Sequence, residues 1–133
     1  FRFSELYLIA AEAAFKGGAT MQDAADMINV LRTRAALKLN QTPAEYAAAV
    51  IAQQITPAQV TLDFILDERS RELFAEDCRW WDLSRTKTLV ARVQLHNTEG
   101  AAGVQPYNML RPIPQQQIDL VTEGPAFPQN PGY

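Results

Sequence analysis

A chain of 133 residues, 47% hydrophobic and 20% charged, carries enough apolar surface for one packed domain, which excludes a disordered or low-complexity segment. Its net charge of −3, with no run of lysine or arginine, excludes an electrostatic footprint for nucleic acid and a basic patch for an anionic membrane surface. The single cysteine, Cys78, rules out an internal disulfide and a multi-cysteine zinc site, and the acids Glu76 and Asp77 beside it disfavour a reactive thiolate.

Phe1 opens the chain inside an amphipathic pattern, without a cap or an initiator methionine, so the sequence is expected to be cut from a longer protein. Phe3, Leu6, Tyr7, Ala10, Ala13 and Ala14 recur at helical spacing until Gly17-Gly18 supplies a stop. This stretch, LYLIAAEAAF at its most apolar, is too short to span a bilayer and contains Glu12. Thr20 with Asp23 forms an acidic capping box for a second helix through Ala24, Met27, Ile28, Leu31 and Ala35. The two make an antiparallel hairpin of about one tetratricopeptide period. Leu8, Ala11 and Phe15 with Ala24, Ile28 and Leu31 fit that repeat's apolar spacing, although Glu12 and Ala36 replace its usual glycine and proline.

Thr42-Pro43-Ala44-Glu45 is a helix start, with cap, proline in the first turn and acid at the third position, ahead of an alanine-rich helix through Ala47 and Ile51. Thr56-Pro57 repeats the device. A long helix is expected from Thr61 to Glu76, and Leu89, Val90, Val93 and Leu95 are expected to continue helix after Trp81, with a strand as the alternative. Six of the eight prolines lie from Pro106 onward. There Tyr107 to Arg111 reads as a short extended piece, Gln115 to Val121 as a helical turn or two, and FPQNPGY as an extended tail. Tyr107, Met109, Leu110, Ile113, Ile118 and Phe127 argue that this segment packs. The fold class is all-α: tetratricopeptide-like helix pairs with a long irregular proline-rich C-terminal segment.

The stretch DERSRELFAEDCRWWDLSRT, from Asp67, poses the functional question. Glu68–Arg71, Arg69–Glu72, Glu76–Arg79, Arg79–Asp82 and Asp82–Arg85 are spaced for pairing within one helix turn, each exposed pair contributing about 0.2–0.5 kcal/mol. Glu68, Glu72 and Glu76 would suit acid–base work only if desolvation raised a pKa, and the adjacent arginines act in the opposite sense. Trp80 and Trp81 point about 100° apart. One exposed ring would suit stacking on a sugar, whereas a buried ring anchoring the helix junction is the simpler expectation. His96 has no companion at metal-ligand spacing, and no HExxH, GxSxG or Gly-rich phosphate loop occurs. No catalytic residue, metal site or cofactor is expected.

Four ordered motifs carry a resemblance. RFSELYLIAAEA with INVLRTRA, then ILDERSRELFAEDCRWWDLSRT, then RPIPQQQIDL, then the closing QNPGY resemble the C-terminal portion of SusD/RagB-type outer-membrane nutrient-binding lipoproteins. The family usually has glycine where Asp77 stands. The resemblance implies a helical region over 1–133, with a helix hairpin at 1–37, further helices at 42–96 and an irregular packed tail at 97–133. It implies a non-catalytic component of polysaccharide utilization on the surface of a Bacteroidetes-type bacterium, capturing oligosaccharide or peptide over a SusC-type TonB-dependent transporter. Membrane attachment would come only through an N-terminal lipid absent from this chain. Ligand-binding residues would lie upstream, and Glu68, Arg69, Glu72, Arg79, Asp82, Arg85, Asn130 and Tyr133 would be structural. Two other classes compete. An intracellular tetratricopeptide-like peptide-binding adaptor would need more regular repeats than one hairpin. A glycosidase would need two of Glu68, Glu72 and Glu76 free to exchange protons.

Overall fold

The computed structural model describes residues 2–133, so the reading of Phe1 lies outside the described residues. Among these residues the chain is all-helical, with seven α-helices and no strand. It divides between Asp77 and Cys78 into two compact units.

The first unit opens with α1 (Phe3–Ala13), closed by a π-turn over Ala14–Gly18 in which Gly17 takes φ +97°, open to glycine without a Cβ penalty. Helix α2 (Met21–Ala35) starts at the expected capping box, Thr20 and Asp23 exchanging hydrogen bonds of 2.9 and 3.1 Å. Helix α3 (Pro43–Gln53) has the same device at Thr42 and Glu45, and α4 (Leu62–Glu72) is capped by Thr61.

Leu8, Ala11 and Ala14 pack with Ala24, Ala25, Ile28, Leu31 and Ile65 into the core of this unit. Of the two apolar registers legible on α1, the tetratricopeptide-like one is buried. The stripe begun by Phe3 and Leu6 faces outward, with Phe3 74% exposed. Small side chains decide this: Ala11 against Ala24 and Ala25 lets two backbones approach closely. Helix α3 has no buried residue. Instead, Asn29 of α2 clamps the chain after it, donating to the Ile55 carbonyl at 3.0 Å and accepting from the Ile55 N–H at 2.9 Å.

Helix α4 is shorter than the expected Thr61–Glu76. It stops at Glu72, and both Ala75 and Asp77 adopt left-handed backbone at φ +63° and +55°. A helix cannot continue through that conformation, which L-residues other than Asn and Asp seldom adopt.

The second unit contains α5 (Arg79–Arg85), α6 (Leu89–His96) and α7 (Gln115–Asp119). Helix α6 is a separate element rather than a continuation. The Lys87 N–H bonds the Ser84 carbonyl and the Thr88 N–H bonds the Leu83 carbonyl, a Schellman ending that requires Lys87 at φ +59°. Pro106–Met109 is a 3₁₀ turn instead of an extended piece, started by Asn108 accepting from the Gln105 N–H at 2.7 Å.

Candidate functional site

The acid–arginine stretch is divided by the left-handed residues after α4, so the ladder read along one helix does not run unbroken. On α4, Glu68 and Arg69 are buried, and the Glu72 side chain is only 13% exposed. Their partners come largely from other helices. Arg32 of α2 grips Glu68 bidentately, through Nε to Oε1 at 3.1 Å and Nη2 to Oε2 at 2.8 Å. Arg71 adds the expected one-turn contact to Glu68 at 2.5 Å. The guanidiniums of Arg32 and Arg71 both lie over the Phe64 ring, 5.1 and 5.9 Å from its centroid. Arg34 pairs with Glu72 at 2.6 Å, Arg2 with Glu76 at 2.7 Å, and Arg69 with Glu5 of α1 at 3.5 Å. Arg2, Arg32, Arg34 and Glu5 were not singled out by sequence reasoning, because pairing rules for one helix do not reach other helices.

Electrostatics at Glu72 run against general-acid chemistry. Burial alone would raise its carboxyl. The hydrogen bond from Arg34 at 2.6 Å, with the charges of Arg34 and Arg2, outweighs that and holds it below the ordinary 4.5. A proton donor at neutral pH needs the opposite displacement.

In the second unit Asp82 is buried and accepts from Arg85 at 2.9 Å, the expected one-turn pair. Arg79 is half-buried at the start of the same helix. The expectation of a buried tryptophan fails. Trp80 is half-buried and Trp81 is 62% exposed, so one ring faces solvent, as their separation of about 100° allows, and neither is fully buried. Arg111 covers both rings, with its guanidinium carbon 5.1 and 5.3 Å from their centroids.

Among the described residues none after Arg92 is fully buried, though Val104, Met109, Ile113 and Ile118 are half-buried, and polar contacts add to what holds the tail. The closing QNPGY supplies these by bonding side chains to backbone. Gln129 both donates to the Ile113 carbonyl at 2.8 Å and accepts from the Ile113 N–H at 2.7 Å. Asn130 donates to the Arg111 carbonyl at 2.7 Å, and the Tyr133 hydroxyl to the Leu110 carbonyl at 2.9 Å. Tyr133 also meets Tyr107 edge-on with ring centroids 5.1 Å apart. Gly132 sits at φ +97° against Tyr107, where a Cβ would overlap the ring.

His96 is exposed at the end of α6, and no cluster of three metal-ligating side chains exists among the described residues. Beside α2 lies an open groove of about 560 Å³ lined by Gln22, Asp26, Asn29, Thr33 and Thr56. Two of its amides are engaged within the protein: Gln22 donates to Asp26 at 2.8 Å and Asn29 holds Ile55. Among the described residues no helix is long and apolar enough to cross a membrane.

The profile of the SusD family matches the chain over residues 1–133. SusD-like protein P2 of Formosa agariphila is 29% identical over 140 residues, covering 99% of this chain and 25% of that protein. SusD-like protein P38 of the same organism is 34% identical over 90 residues, 68% of this chain and 17% of that protein. The chain thus spans a quarter or less of the length of these curated relatives.

Proposed function

The chain belongs to the SusD family, and on that premise we propose that it forms part of a non-catalytic glycan-binding lipoprotein of the outer-membrane surface. In this reading the whole protein captures oligosaccharide and delivers it to a SusC-type TonB-dependent transporter, anchored by a lipid at its N-terminus. The observation that carries the reading is the family match along the full 133 residues.

The arrangement of acids supports the non-catalytic part. Glu68 and Glu72 are engaged by arginines of α2, and Glu72 is held ionised. Within this reading Glu68, Arg69, Glu72, Arg79, Asp82, Arg85, Asn130 and Tyr133 are structural residues, and the glycan contacts lie outside them.

The reading is tested on the native protein from a membrane fraction of its source. Intact mass spectrometry should give a chain several times longer than 133 residues with acyl groups at its N-terminus. Electrophoresis through gels containing individual polysaccharides should retard it with at least one glycan, which it leaves unhydrolysed. A short, unacylated protein that no glycan retards would overturn the reading. Glycan hydrolysis abolished by Glu72→Gln would replace it with a glycosidase.

A further inference from the structure

We propose that the cavity beside the tail clasp binds a small organic carboxylate with an apolar, ring-sized body. The cavity holds about 330 Å³ and is lined by Ser84, Lys87, Tyr107, Met109, Leu110 and Pro131, together with Pro106. That is the low end of the size range for small-molecule sites, and the composition is theirs as well: mostly carbon, with few polar groups.

Three observations point to the ligand's chemistry. The walls are fixed in advance. Tyr107 is held edge-on by Tyr133, Leu110 by the Tyr133 hydroxyl, and Met109 by the Ser84 hydroxyl, which donates to its carbonyl. A ligand entering here orders little that is not already ordered. Next, Lys87 is the charged residue of the lining, and among the described residues no acid pairs with it. Finally, Lys87 occupies the left-handed position that ends α5, at φ +59°, where glycine would close the same turn with less strain. A strained lysine beside an apolar cavity offers a cation that a glycine would not.

A sugar is a poor occupant. The Ser84 proton is committed to Met109, so a sugar's several hydroxyls would meet only the Lys87 ammonium and the Tyr107 phenol beside the carbon of Met109, Leu110 and Pro131. A carboxylate on an aromatic or branched aliphatic group pairs its charge with Lys87 and places its carbon against carbon. The site is therefore independent of the glycan reading.

The test uses 3-phenylpropanoate and its neutral twin, 3-phenylpropanamide, titrated into the full-length protein and followed by the amide resonances of Lys87, Tyr107 and Leu110. The acid should produce saturable shifts in the millimolar range, and the amide should bind about three-fold more weakly, the value of an ion pair to an exposed lysine. Lys87→Gly, which relaxes the turn, and Lys87→Gln, which keeps the side chain's reach, should each lower affinity for the acid to that of the amide. Absence of saturable shifts, equal binding of acid and amide, or undiminished acid binding by both variants would overturn the proposal.

Discussion

Up to Asp77, α1, α2 and α4 close around Leu8, Ala24, Ile28 and Ile65, and acids of α4 reach arginines 36 and 38 residues away on α2. From Cys78 onward the chain has short helices, no buried residue after Arg92, and a tail held by Gln129, Asn130 and Tyr133 to the backbone of residues 110–113. Charge pairs joined to a core should answer strongly to loss of one partner, because the survivor is left poorly solvated. Exposed hydrogen bonds to backbone should answer weakly and locally, because water can replace each one. The same polar residue types thus do different work in the two units according to what surrounds them.

Four substitutions and one titration bear on this contrast. Glu68→Ala leaves Arg32 and Arg71 without the acid they share, and should cost about 3 kcal/mol in urea unfolding, with both guanidiniums partly exposed. Arg69→Ala removes a buried side chain paired with Glu5 and should cost about 2 kcal/mol; an unchanged melting temperature would argue against its buried role. Tyr133→Phe breaks the bond to the Leu110 carbonyl and should cost about 1 kcal/mol. Hydrogen exchange should then quicken at residues 107–113 while α1 and α2 keep their protection. Ala75→Gly should instead stabilise by about 0.5–1 kcal/mol, since φ +63° strains an alanine and suits glycine.

The titration concerns Glu72. Its folded pKa lies below the ordinary 4.5, so its contribution is present above that value and is lost as pH falls through the folded pKa. Stability should therefore decline as the solution is acidified below about pH 4.5, and Glu72→Gln should flatten that part of the profile. An identical slope in wild type and variant would remove Glu72 from the account.

Much of this was legible where chemistry is local. The capping boxes at Thr20–Asp23 and Thr42–Glu45 and the stop at Gly17 follow from residues three or four apart, and the structure has each of them. The whole-chain family was legible from four ordered motifs. Three features were harder to read. Nothing in Leu73-Phe74-Ala75-Glu76 breaks a helix by composition, and the turn there showed only as Asp77 standing where the family usually has glycine. Helix α1 is apolar nearly all round, so periodicity offered two faces, and the small residues opposite selected one. The arginines in LRTRA closed a helix in sequence but a salt-bridge lattice in space, a relation that spacing within one turn cannot express.

The most direct test of the scaffold role is a double-mutant cycle between Glu68 and Arg32, measured by urea unfolding of the two alanine variants and their combination. The bidentate pair predicts a coupling of about 1.5–3 kcal/mol, with the double variant less damaged than the sum of the singles. Additive losses would mean that the charges of α4 do not hold the helices together, and the reading of this stretch as scaffold would have to be abandoned.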